Sequence, residues 1–178
     1  MWLIDFFKVL FGGDTKERPS PSDIVSKDNI YILGNTVVVD YGKKLNIPFT
    51  KTPIIIPIMD IPDSNSMDGF MDYGHNPIYI QPADEENQQI MADWLAKEWE
   101  TSKGMLANDC VYRVMENSSD NPYDFSKPHT HFAIHRIHAV GHDSEGRYFK
   151  FKGINNSIED APKVRDKNIL WVNTQIIF

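Results

Sequence analysis

The chain carries one cysteine in 178 residues. A lone thiol excludes an internal disulfide and any cysteine-rich zinc site. Cys110 stands in Asp109-Cys110-Val111-Tyr112, a strand-like setting, and reads as a buried, inert side chain. Positive charge is also in deficit: 18 Lys and Arg face 25 Asp and Glu, for a net charge of -7. That balance argues against a nucleic-acid binder, which needs basic surface to displace counterions. No stretch reaches the ~18 apolar residues of a membrane-spanning helix. There is no internal repeat and no low-complexity tract. What remains, 41% hydrophobic and 24% charged, is the composition of an ordinary soluble domain with a proper core. The 11 prolines suit a β-rich chain with many turns.

The N-terminus is the most apolar stretch. In Met1 to Phe11, Trp2, Leu3, Phe6, Phe7 and Leu10 would crowd a helix whose polar face holds only Asp5 and Lys8. Such a helix is about 16 Å long, too short to cross a bilayer. No small-residue cleavage pattern marks it as a secretory signal. Residues 1–13 are therefore expected to be an amphipathic helix, ended by Gly12-Gly13, that docks on a partner protein or a membrane surface. Residues 14–28, polar and holding Pro19 and Pro21, read as a linker, and residues 29–178 as a β domain. Its expected strands are Ile30 to Leu33, Thr36 to Val39, Leu45 to Phe49, Ile54 to Met59, Pro77 to Ile80, Cys110 to Met115, His131 to Val140, Tyr148 to Lys152 and Ile169 to Phe178. Asp84 to Lys103 has Ile90, Met91, Trp94, Leu95 and Trp99 at helical spacing and predicts one inserted helix. The expected class is mainly β.

Three separated pieces carry chemistry. They are Ser64-Asn65-Ser66-Met67, Ile134-His135-Arg136-Ile137, and Lys152-Gly153-Ile154-Asn155-Asn156 followed by Glu159-Asp160. A serine, a histidine and an acid are the nucleophile, proton carrier and orienting group of acyl transfer. The histidines allow a second reading. Five of the six fall between His129 and His142, and His129, His131 and His135 share parity on a strand. His129 and His135 are about 13 Å apart along an extended strand, too far for one metal unless the strand bends.

With Asn108-Asp109-Cys110-Val111-Tyr112-Arg113 between them, these blocks resemble the signal peptidase and LexA-type serine peptidase superfamily, from Ile54 to the C-terminus. The resemblance implies a coiled β-sheet fold with Ser66 as nucleophile, His135 as base and Asp160 as its orienting acid. It also implies an oxyanion site made of the Ser66 N–H and the Ser64 hydroxyl, a peptide or protein substrate, and no metal or cofactor. A histidine at the base position, where the bacterial enzymes carry lysine, is similar to the archaeal and endoplasmic-reticulum signal peptidases. Size and compactness resemble small peptidase-like proteins of bacterial viruses. The chain departs from the pattern in two places. Ile154 replaces the first acid of the Gly-Asp-Asn-Asn box, and the family's membrane-spanning segment has no counterpart of its length. The expected function is a serine endopeptidase, cytoplasmic, peripheral to a membrane or virion-associated. The alternative is a catalytically silent member of the same fold serving as a structural or interaction protein, such as a viral particle component.

Overall fold

The computed structural model describes residues 29–57, 65–67, 71, 75–117 and 128–177. The N-terminal helix expected over residues 1–13, the linker over 14–28 and Ser64 lie outside the described residues. The described chain is mainly β. Strands β1 (Ile30–Leu33) and β2 (Thr36–Val39) form a hairpin of their own, paired from Ile30↔Val39 to Leu33↔Thr36. Its two-residue turn requires the left-handed conformation that Gly34 supplies at φ 61. A short helix, α1 (Tyr41–Lys44), follows.

The strand expected over Leu45 to Phe49 is not formed. Asn46 takes φ 58, and the N–H of Ile47 turns back to the carbonyl of Gly42 at 2.8 Å. Leu45 and Ile47 are buried all the same, so their alternating spacing reflects a turn that drops two side chains into the core.

The remaining strands are β3 (Ile54–Pro57), β4 (Asn76–Gln81), β5 (Asp109–Asn117), β6 (Pro128–Asp143), β7 (Gly146–Lys152) and β8 (Ile169–Ile177). They make one antiparallel sheet in the order β3-β4-β8-β5-β6-β7. The inserted helix, α2 (Glu85–Ser102), starts at Asp84, whose carboxylate accepts the N–H of Asn87 at 2.9 Å. The Lys51 ammonium beside Asp84 holds that carboxyl well below the usual carboxylate range. Met91, Leu95 and Ala96 of α2 pack with Tyr112, Ile137, Phe149, Phe151 and Val172 of the sheet in the main core.

The longest strand, β6, has two kinds of neighbour. Residues 128–136 pair with β5, and residues 136–143 pair with β7 on the opposite edge. At the crossover Asp109, Arg136 and Lys152 stand in one row across three strands. Asp109 is buried, and the Arg136 guanidinium grips it from Nε at 2.7 Å and Nη2 at 3.0 Å. Burial pushes the Asp109 carboxyl up, and Arg136 opposes that push. Arg136→Met should therefore cost about 3–5 kcal/mol at pH 7, because it leaves a buried charge without its partner. A carboxyl raised in the folded state contributes stability below its unfolded value, and that contribution fades as pH rises through the folded value. The deficit of Arg136→Met should thus shrink on acidification. Urea unfolding of both proteins at pH 7 and pH 5 checks this, and an equal deficit at both pH values would contradict it.

Candidate active site

Ser66 sits at the start of a tight turn. Asn65 before it takes φ 55, a left-handed conformation that asparagine tolerates better than most residues. After it the N–H of Met71 donates to the carbonyl of Met67 at 2.9 Å. Met67 and Met71 are buried against Ile176 and Ile134, and the Tyr79 hydroxyl meets the Met71 sulfur at 3.5 Å. These apolar anchors fix the loop from below. From the side it is held by the turn that follows β7. The N–H of Asn155 donates to the carbonyl of Ser66 at 3.0 Å, and the Asn155 side-chain amide donates to the carbonyl of Asn65 at 3.0 Å. The Lys152-Gly153-Ile154-Asn155-Asn156 piece thus serves as a clamp on the serine loop.

His135 lies on β6 opposite Cys110. Its Nε2 is 3.0 Å from the Ser66 Oγ, and its Nδ1 is 2.6 Å from Asp160 Oδ2. The side chains of His135 and Asp160 are only 15% and 16% exposed, so the pair is shielded but reachable. A carboxylate oxygen only accepts, which assigns the ring proton to Nδ1 and leaves Nε2 to accept the Ser66 hydroxyl proton. Asp160 is itself pinned. Its N–H donates to the carbonyl of Phe151 at 2.8 Å. The Lys150 ammonium donates to the carbonyls of Asp160 and Ala161 at 2.8 and 2.9 Å. The structure therefore brings Ser66, His135 and Asp160 into one hydrogen-bonded chain. Nothing is described of Ser64, the second expected oxyanion donor.

Sequence reasoning missed Tyr112. Its hydroxyl donates to Asp160 Oδ2, the same oxygen that faces His135. Its ring is 1% exposed and stacks on Phe151 at a centroid distance of 4.2 Å. The available signal was parity: Tyr112 is two residues from Cys110 and shares its face of β5. Lys150 was missed too, because in an alternating strand a lysine reads as a solvent residue.

Tyr112→Phe keeps the ring and removes one donor from the carboxylate. It should lower stability by about 1–3 kcal/mol, the cost of a hydrogen bond to a charged group. Turnover should fall by about tenfold, equivalent to ~1.4 kcal/mol of barrier, through looser placement of Asp160. Denaturant unfolding and peptide kinetics on the same preparation separate the two effects. Unchanged stability would show that the hydroxyl contributes nothing.

Other sequence candidates are placed elsewhere. Ile154 is 38% exposed, and both ring nitrogens of His135 are taken by Ser66 and Asp160. His138 points to Glu159 at 4.0 Å. His129 and His131 lie on β6, and their side chains are outside the described residues. Among the described residues no group of three His, Cys, Asp or Glu could hold a metal ion. Cys110 is fully buried, which pushes its thiol up and keeps it protonated.

No family model, no curated protein and no solved structure matches the chain.

Proposed function

We propose that this chain is a serine endopeptidase with the coiled β fold of the signal peptidase and LexA-type superfamily, and that it cleaves an extended peptide. The observation that carries the reading is the continuous path from the Ser66 Oγ through His135 to Asp160, assembled from three distant segments. An unassisted serine hydroxyl is a weak nucleophile at neutral pH. His135 takes its proton as Oγ attacks the scissile carbonyl, and the Asp160 carboxylate stabilises the imidazolium that forms. The carbonyl oxygen becomes an oxyanion, for which the Ser66 N–H and the Ser64 hydroxyl are the proposed donors. His135 returns the proton to the leaving amine. Water, deprotonated by the same imidazole, then hydrolyses the acyl-enzyme and restores Ser66.

The edges of β6 support a peptide substrate. Beside residues 136–143 the outer edge is filled by β7, which ends at Lys152. Beside residues 128–135 no described strand pairs with that edge. This open lane leads to His135. A peptide laid along it as an added strand would satisfy the edge and bring a backbone carbonyl to Ser66. Phe132, 58% exposed beside the lane, offers an apolar contact.

Labelling with a fluorophosphonate tests the reading. The parent should gain one adduct, mapped by peptide mass to Ser66, and Ser66→Ala and His135→Ala should gain none. A folded parent that stays unlabelled would mean the fold is kept without turnover, as in a silent structural protein.

A further inference from the structure

We propose that the groove beyond the end of β7 is a specificity site for an acidic side chain of the substrate, on the far side of the scissile bond from the open lane. This rests on the peptidase reading above. A peptide strand lying beside residues 128–135 runs head-on into the end of β7, because β7 occupies the same edge of β6 from Arg136 onward. Once past His135 the peptide must leave the sheet plane. Directly there, beside Arg136 and Lys152, opens a groove of about 260 Å³. Trp99 lines it from α2 and Ala107 from the segment between α2 and β5, Arg136 and His138 from β6, and Lys152 and Ile154 from the end of β7 and the turn after it. Gly153, between the last two, is packed against the Ser66 carbonyl, so the groove begins one residue from the nucleophile loop.

The groove is basic in a protein whose net charge is -7. Its cations are not equally satisfied. Arg136 is held by Asp109. His138 faces Glu159 at 4.0 Å, and Glu159 also takes Lys150 at 3.4 Å. The Lys152 ammonium has no ion pair or hydrogen bond among the described residues. It stands directly opposite Arg136 across the strand pair, an arrangement of like charges that is destabilising in itself. A carboxylate between them would relieve it. Ile154 fits the same picture. An acid at that position would neutralise Lys152 from within the chain. The isoleucine leaves the positive field open and, with Trp99 and Ala107, gives apolar wall for the methylenes of a glutamate. The site therefore takes a side chain with an apolar stem and a carboxylate tip.

The test uses full-length Ser66→Ala protein, which binds without cleaving. The probes are N-acetylated, C-amidated alanine/serine decapeptides in which a single Glu is walked along the sequence, each with a Gln counterpart. Binding is read by NMR titration of the backbone amides of Gly104, Lys152 and Ile154 at low salt. At least one Glu peptide should bind about tenfold tighter than its Gln counterpart. Lys152→Gln should abolish the preference, and Lys152→Glu should reverse it toward a Lys-containing peptide, with thermal melts confirming that both variants fold. Glu and Gln peptides binding alike throughout, no peptide binding at all, or a preference that survives Lys152→Gln each overturns the proposal. Fluorophosphonate labelling of the parent separates the two claims. A parent that labels on Ser66 without any acid preference sinks only the groove, whereas an unlabelled parent sinks the peptidase.

Discussion

Asp160→Asn should lower turnover by about 10²- to 10⁴-fold with the fold unchanged. The upper figure applies where the amide turns its NH₂ toward the imidazole and forces the wrong tautomer. Here Tyr112 bears on that outcome. Its hydroxyl donates to the oxygen that also faces His135. An asparagine that keeps its amide oxygen in that place accepts from both donors and preserves the orientation of the ring. What is then lost is the charge that stabilises the imidazolium, and the loss falls toward the lower figure. Combining Asp160→Asn with Tyr112→Phe removes the donor that favours the amide oxygen, so the double variant should lose more than the sum of the two singles predicts. Peptide kinetics and fluorophosphonate labelling rates measure this, with near-ultraviolet circular dichroism as the check on folding. If Asp160→Asn matches the parent while Ser66→Ala and His135→Ala are inert, the site works as a serine/histidine dyad.

Gly153→Ala should cost about 10²-fold in turnover and also lower the melting temperature. A Cβ at Gly153 would lie 2.5 Å from the Ser66 carbonyl oxygen, 2.8 Å from the Asn156 amide nitrogen and 3.0 Å from its Cγ. The asparagine side chain can swing away. The carbonyl cannot, because moving it moves the nucleophile and breaks its hydrogen bond from the Asn155 N–H. Misplacing a reacting group by about 1 Å is enough for a loss of this size. Gly153 is itself buried, so the clash with a main-chain oxygen also costs stability. Labelling rate and thermal melt on the same variant decide the matter. A parent-like labelling rate would show that the serine loop does not depend on the turn.

Much of the sheet was legible in the sequence, for local reasons. Ile30 to Leu33 and Thr36 to Val39 are β-branched runs around Gly34-Asn35, and they pair with the turn placed there. The helix was legible from its stripe and from the cap signal of Asp84. Leu45 to Phe49 misled because two buried apolar residues at a spacing of two look alike in a strand and in a turn, and only the left-handed Asn46 separates them. The strand read from His131 in fact begins at Pro128. Its opening residues are polar and follow a proline, so they lack the apolar alternation that announces a buried strand.

Ser66, His135 and Asp160 were legible because each sits in a distinctive short block. Tyr112 was not, since a tyrosine between Val111 and Arg113 on a strand has the same pattern whether its hydroxyl is idle or aimed at a carboxylate. The clamp on the serine loop was likewise hidden. It works through the main-chain carbonyls of Asn65 and Ser66, which carry no side-chain signature, and through the N–H and side-chain amide of Asn155, an asparagine that reads like any turn residue. The two-sided pairing of β6 could not be read from composition either, because it depends on where β7 stops.

The sequence distances inside the site have a kinetic meaning. Ser66 and His135 are 69 residues apart, while His135 and Asp160 are 25 apart. The second pair belongs to the β6–β7 hairpin region and closes a modest loop. The first closes only after α2, β5 and the return of β6 have found their places. Long-range closures of this kind are slow compared with helix or hairpin formation. A refolding chain would therefore hold His135 oriented by Asp160 before it holds Ser66 beside the ring. During synthesis, too, Ser66 emerges long before His135. In the proposed peptidase that order would act as a built-in delay, keeping hydrolytic power from a half-made polypeptide whose own unpaired strands are the nearest extended peptides.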